Sequence, residues 1–301
     1  MRKTQSFALA FFLVVVGVAF AAHYWTLPKN IENGKNMKSS PTIIRLGDPK
    51  GSDLDGPGSS IDNHPSGVKF YQREWESNDL GVVEFVDGKY SFLIDNVLSF
   101  MGAAGKDVPG GINKWAISFG VSREQADTHE VARARVMNFL AQLRAAGWKR
   151  YIETSDPRLS GRAAWQYFLS HPAYSLDSSY TPTMDEWLTA KENAPSWIFD
   201  ADGVYLAVSV NESNMGGFVG KSTYLLSADV KSEYAFYGLG YFSGDAEKIH
   251  NWKTLLPAEL KKYHTMRLKT EAVLKAQGYT IDTNYQDPPV KALQASPASP
   301  Q

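Results

Sequence analysis

The longest unbroken apolar run stands at the start of the chain, where Phe7 to Ala22 carries no polar side chain and follows Arg2 and Lys3. A short basic segment ahead of such a run has the form of an export signal. Ala19-Phe20-Ala21 offers the small-x-small pattern that a signal peptidase cuts, while His23-Tyr24-Trp25 would set amphipathic aromatics at a bilayer interface. Residues 1–25 are therefore expected to be a signal peptide or a signal anchor. The basic residues would stay cytoplasmic, which delivers the rest of the chain outside the inner membrane. No later stretch approaches spanning length.

Further along, the apolar pattern shortens and alternates. Val82–Val86 and Lys89–Ile94 flank Asp87-Gly88, a dipeptide suited to a type I′ hairpin turn. That register sets Val83 and Phe85 opposite Phe92 and Tyr90 on one face. A second hairpin is predicted from Trp197–Ala201, Asp202-Gly203 and Val204–Val210. There Trp197, Phe199 and Ala201 share a face with Val208, Leu206 and Val204, and Asp200 lies beside Tyr205 on the other. Another strand pair is expected around Thr223–Leu226 and Glu233–Tyr241, and a strand over Trp148–Ile152.

Helices announce themselves by caps and stripes. Ser122 with Gln125 has capping-box spacing, Ala132, Val136, Phe139, Leu140 and Leu143 form a stripe, and Gly147 suits a left-handed stop. Ser160 opens a short helix burying Trp165, Phe168 and Leu169, and Thr183 with Glu186 opens another containing Trp187 and Leu188. Pro257 suits a first helical turn, followed by Leu260, Tyr263, Met266, Val273 and Leu274 up to Gly278. The joints Leu143–Trp148 and Leu274–Tyr279 share one plan: a helix end, a glycine, then an aromatic. Ordinary helix-ending chemistry accounts for the likeness.

Residues 26–67 are rich in Pro, Gly, Ser, Asn, Asp and Lys and read as a flexible linker, with Thr42–Leu46 its one candidate strand. Residues 68–285 form the globular part, as one domain or two α/β subunits, and the Pro- and Ala-rich residues 286–301 read as a disordered tail. Hairpins mixed with helices give an α+β class, with a mixed or antiparallel sheet carrying packed helices behind an N-terminal hydrophobic helix.

Composition narrows the chemistry. The 301 residues contain no cysteine, which removes disulfides, thiolate metal sites and a cysteine nucleophile. A net charge of −1 from 31 basic and 32 acidic side chains argues against nucleic acid as a partner. Gly216 to Ser222 approaches a phosphate loop, but Met215 stands where the first glycine is required and a strand, not a helix, is expected after it. His129-Glu130-Val131-Ala132-Arg133 begins like a zinc-protease helix, yet Arg133 replaces the second histidine and a guanidinium does not ligate zinc. Asp53–Gly56 and Asp200–Gly203 open like calcium loops without the later ligands. No Gly-x-Ser-x-Gly elbow occurs, and the histidines show no ligand spacing. No catalytic residue, cofactor or metal is therefore assigned.

Two surfaces are candidates for holding a partner. The loop Thr154–Arg162 puts Arg158 and Arg162 near a helix N-terminus, where backbone N–H groups can hold an anion. The connection through Met215, Phe218 and Lys221 presents apolar groups beside a cation. With its export signal, tether and α+β body, the chain resembles in overall plan the immunity proteins of contact-dependent bacterial competition, a likeness of architecture that no motif carries. It implies a non-catalytic protein-binding factor of the bacterial cell envelope, periplasmic and either tethered through residues 7–25 or released by cleavage. Its partner would be another protein, such as a secreted toxin or a secretion-system component. The alternative is an envelope hydrolase acting on peptidoglycan, glycan or lipid, with an active site assembled from distant residues.

Overall fold

A computed structural model describes residues 40–105, 108, 110–190, 193–214 and 216–294. The expected N-terminal helix lies outside the described residues, as do residues 26–39 of the linker and 295–301 of the tail. No helix among the described residues is long and apolar enough to cross a membrane.

The chain is α+β and is built on one large mixed sheet of ten strands. In chain order the strands are β1 (Thr42–Ile44), β2 (Ser59–Asn63), β3 (Val68–Glu74), β4 (Gly81–Phe85), β5 (Phe92–Gly105), β6 (Ile112–Gly120), β7 (Lys149–Arg150), β8 (Ser196–Ala201), β9 (Val204–Ser213) and β10 (Thr223–Ser232). The helices are α1 (His129–Ala145), α2 (Gly161–Ser170), α3 (Met184–Ala190), α4 (Ala246–His250) and α5 (Trp252–Ala276), with a π-helical turn at Tyr234–Leu239. The strands run β1-β4-β5-β6-β10-β9-β8-β7, and β3 pairs with β5 and carries β2. Among the described residues only the β1–β4 pair is parallel.

Two segments whose composition reads as linker and tail belong to this body. Ile44 is fully buried in β1, Gly47 bridges to Ile112, and Arg45 O accepts from Trp115 Nε1 at 2.8 Å. Three residues, two of them isoleucines, are enough to pair with β4 when a buried indole anchors the following carbonyl. At the other end, Lys291 N and Ala292 N donate to the Glu233 carboxylate at 2.7 Å each, and Val290 is buried. Composition alone does not reveal an anchor that lies on a distant residue.

The Asp202-Gly203 hairpin has the register read from sequence, Ala201↔Val204 through Trp197↔Val208, with φ of +55° and +90° at the turn. Trp197, Phe199, Leu206 and Val208 have no exposed surface. The Asp87-Gly88 hairpin differs. Phe85 pairs with Phe92 and Val83 with Ile94, two residues out of the expected register. Asp87 has a negative φ of −149°, so the type I′ turn does not form, and a 3-10 turn at Gly88–Tyr90 takes up the slack. Because the shift is two, the apolar face is preserved.

Helix α1 starts at His129 with Thr128 as its cap, later than Ser122 and Gln125 suggest; Ser122 instead donates to Asp127 at 2.8 Å. Its stripe Ala132, Val136, Leu140 and Leu143 is fully buried, and Phe139 meets the sheet through Phe119 with ring centroids 5.4 Å apart. Trp148 N donates to Leu143 O at 3.1 Å and Tyr279 N to Leu274 O at 3.0 Å, with φ near +98° at Gly147 and +90° at Gly278, so the two similar joints form the same helix stop. Thr183 and Glu186 exchange both capping-box bonds, at 2.8 and 3.2 Å.

Among the described residues, the opposite face of the sheet is covered at one corner. Glu233–Tyr241, expected as a strand, contains the π-helical turn, which gathers Tyr234, Phe236 and Tyr237 against one aromatic cluster instead of alternating them. Phe236 stacks on Tyr205 at 3.9 Å, and Tyr151, Tyr237, Phe242, Trp252 and Leu256 complete a second core. Helix α5 begins before Pro257, which lies inside it; Met266 and Val273 are exposed, while Arg267 and Glu271 are buried. Beyond this corner the sheet face is half-exposed, and Ser99, Ser118, Ser227, Ser209 and Ser196 line up in one row across five strands.

Candidate functional site

The loop after β7 carries the densest polar chemistry of the described residues. The short strand ends at the sheet edge, where Tyr151 N donates to Ile198 O at 2.8 Å, and the chain then turns back with Asp156 N donating to Glu153 O at 2.8 Å. Arg267 of α5, 1% exposed, fixes this turn. Its Nε donates to Asp156 O at 2.8 Å, one terminal nitrogen to Ile152 O at 3.2 Å and Glu153 O at 2.9 Å, and the other to both Asp287 oxygens at 2.8 and 2.9 Å. All five guanidinium donors are therefore occupied. Tyr285 adds a further clamp by accepting from Ile152 N at 2.8 Å.

Glu153 and Asp156 are carried by this rigid turn, both half-buried. Burial, with help from the Asp156 charge, pushes the Glu153 carboxyl up to about 7, against the pull of Lys231, Tyr241 and Arg267. Burial likewise raises Asp156 to about 6, opposed by Arg267. Glu153 Oε2 lies 3.5 Å from the Tyr241 hydroxyl, at the limit of a hydrogen bond. Neither carboxylate has an ion-pair partner within 4 Å among the described residues. The buried Tyr151 hydroxyl sits among Thr154, Tyr237 and Tyr241, which share weak side-chain hydrogen bonding with it, while burial first and the Glu153 charge second raise its pKa well above normal.

The five residues named from sequence fall in three places. Arg158 lies at the end of the same loop but faces inward: its Nε and a terminal nitrogen grip Glu271 at 2.8 and 2.9 Å, and its backbone N–H donates to Glu271 at 3.0 Å. Although burial pushes Glu271 up, these bonds hold it below the usual carboxylate range. Arg162 is 68% exposed and pairs with Glu186 at 2.9 Å. The helix N-terminus beside them already holds an anion, because Asp177 Oδ2 accepts from Gly161 N at 2.8 Å and Ser160 supplies no cap. Phe218 and Lys221 lie on the β9–β10 connection, half-buried and exposed, and Val219 between them is 98% exposed. Met215 lies outside the described residues.

Glu153, Asp156, Tyr151 and Tyr241 do not stand out in the sequence. Two carboxylates three residues apart in a turn are common, and the tyrosine partner comes from a segment that reads as a strand. The other near-motifs have structural uses. His129 Nδ1 is 2.6 Å from the Tyr224 hydroxyl, and Arg133 donates to Pro182 O at 2.5 Å. A strand follows Gly216–Ser222. No group of three or more His, Asp or Glu is arranged to hold a metal among the described residues. A shallow, open depression of about 400 Å³ is lined by Asp245, Glu247, Lys248, Asn251, Thr254 and Leu255. No known family, curated protein or solved structure matches the chain.

Proposed function

We propose that this chain is a non-catalytic protein-binding factor of the bacterial cell envelope, of the immunity or adaptor kind. The observation that carries this reading is the tip of the β9–β10 hairpin. Two ten-residue strands, paired along their whole length, project Val219 at 98% exposure beside Phe218 and the exposed Lys221. An apolar group held in water at the end of a stiff hairpin is stabilised when a partner covers it, and a neighbouring cation gives that contact orientation. The export signal read in residues 1–25 supports a periplasmic setting, tethered or released. The partner is another protein, such as a toxin or a secretion component.

The test is crosslinking and mass spectrometry of the tagged full-length chain from envelopes of its own cells. A specific partner crosslinked through Lys221, and lost in a V219D/K221E variant that melts like the parent, is the expected result. Recovery of the same proteins by parent and variant overturns the reading.

One observation favours a second reading, an envelope hydrolase: the raised Glu153 carboxyl beside Tyr241 has the character of a general acid. Hydrolysis of peptidoglycan, glycan or lipid substrates that disappears in E153Q would establish it. Identical turnover by parent and E153Q, or none by either, removes it.

A further inference from the structure

Helix α5 buries one side through Trp252, Leu256, Leu274 and the clamped Arg267 and Glu271, and its outward side carries apolar groups in water. Met266, Leu268 and Val273 are 48%, 49% and 57% exposed, so three of the eight most exposed large apolar side chains of the described residues fall on this one helix. Lysines are interleaved with them. At helical spacing Lys262, Met266, Lys269 and Val273 form one outward stripe. Lys261, Leu268 and Lys275 form a second, and the small exposed Thr265 and Ala272 lie between the two. All four lysines are exposed.

The acids that could neutralise this side are engaged. Glu271 is buried on Arg158, Asp287 is turned to the buried Arg267, and Glu259 pairs with Lys262 at 3.0 Å. Lys261, Lys269 and Lys275 make no ion pair within 4 Å among the described residues. Their charge calls for an anionic partner, and the apolar groups between them call for a surface that accepts both. A bilayer interface does so, because lysine stems and short apolar side chains lie along the acyl boundary while the ammonium groups stay among the headgroups. We propose that the outward side of α5 docks on a bilayer surface rich in anionic phospholipid. This contact is separate from the hairpin tip and from the apolar run Phe7–Ala22, and it stands if either of those readings fails.

Docking of this kind is shallow. Small residues stand at the centre of the face and the larger apolar groups toward its flanks, so charge supplies most of the attraction. Each lysine held near an anionic surface is worth about fivefold in the ratio of docked to free helix. Salt screens that attraction. Where the apolar run holds the chain in the same bilayer, docking of α5 becomes an intramolecular step and needs little intrinsic affinity.

The experiment uses the full chain with vesicles of phosphatidylcholine alone or with about 30% phosphatidylglycerol, which supplies the anionic surface. The apolar run can itself enter either vesicle, so the readout must be local to α5. The chain has no cysteine, and T265C therefore places a single polarity-sensitive fluorophore at the centre of the face. The same label at N63C, on the exposed strand β2 at the other end of the sheet, is the control. A blue shift at residue 265 with the anionic vesicles alone, absent at residue 63 and reversed by about 0.5 M sodium chloride, is the expected result. In K261Q/K262Q/K269Q/K275Q, which should melt like the parent, the docked-to-free ratio should fall at least roughly thirtyfold. Should that variant fail to fold, the salt response of the parent carries the same test. Equal shifts with the two lipid compositions, no shift with either, or an unchanged shift in the quadruple variant overturns the proposal. So does a shift with polyglutamate but none with anionic vesicles, which would assign the face to an acidic protein.

Discussion

The β8–β9 hairpin and the Tyr151–Arg158 loop are neighbours on the same sheet edge, yet different forces hold them. In the hairpin, Trp197, Phe199, Leu206 and Val208 are sealed against the core that α1 shares, and the ladder accounts for the backbone. In the loop, side-chain charge replaces the ladder. Arg267 and Tyr285 take the place of a strand partner for residues 152–156, and the Arg158–Glu271 pair fastens the loop to the C-terminal part of α5. Apolar burial tolerates local adjustment, whereas a guanidinium bound to fixed carbonyls does not. The comparison shows where this fold is rigid by packing and where it is rigid by charge.

The widest separation between the regions should come from Arg267→Ala. It leaves three carbonyls of the buried turn without their donor and takes the partner from the exposed Asp287, and urea unfolding should show a loss of about 3–5 kcal/mol. Next comes Leu206→Ala in the hairpin, expected to cost about 3 kcal/mol through lost burial and the cavity left behind. That cost should be the same at acid and neutral pH, since no titrating group is involved. Equal pH dependence of the two variants would erase the proposed difference between the regions.

These regions also differ in how far the sequence exposes them. The hairpin is legible to its register because period-two alternation and a turn dipeptide point to one answer. The α1 stripe and the Thr183–Glu186 box are legible for the same reason, being local patterns whose meaning does not depend on a distant residue. The loop is not. The apolar positions of helix α5 point to Met266 and Val273, while the buried face is set by Arg267, Glu271 and Leu274. Charge is normally a mark of the solvated side, and only partners more than a hundred residues away, such as Arg158 for Glu271, reverse that meaning. Arg158 stands out in the sequence, but as a candidate for an external anion rather than for Glu271. Residues 287–292 are hidden likewise, since Glu233 holds them from a distance in sequence, whereas the strand at Thr42–Leu46 is legible and only its anchor on Trp115 is not.

A smaller effect distinguishes the regions by pH. The Glu153 carboxyl is raised from 4.5 to about 7, so its proton is held more tightly in the folded state. Such a group contributes most below its unfolded value, and stability falls as pH rises between about 4.5 and 7. Asp156 acts in the same sense between 3.8 and about 6, and the two titrate as a pair. Glu271, held low, acts in the opposite sense and loses its contribution in acid. E153Q should therefore stabilise the chain at about pH 8, by on the order of 2 kcal/mol, and change little near pH 4. A variant less stable than the parent at both pH values would show that the carboxylate is satisfied in a way the geometry does not support.

The smallest effect concerns the two Asp-Gly turns, identical in sequence and different in use. At Asp202-Gly203 both residues have positive φ and the turn fixes the register. At Asp87-Gly88 the register slips by two, and Tyr90 leaves the ladder to lie against Trp148, whose Nε1 donates to Tyr90 O at 2.8 Å. Side-chain packing, not the dipeptide, decides the first hairpin. Trp148→Phe should remove that bond at a cost of about 1 kcal/mol, because the ring can still fill much of the space. Gly203→Ala should cost a similar amount through its φ of +90°. Their effects on amide exchange should differ in place: Trp148→Phe should loosen residues 88–91 and leave 202–203 protected, and Gly203→Ala should do the reverse. If Trp148→Phe instead leaves exchange at 88–91 untouched, the slipped register must come from the Phe85–Phe92 pairing alone.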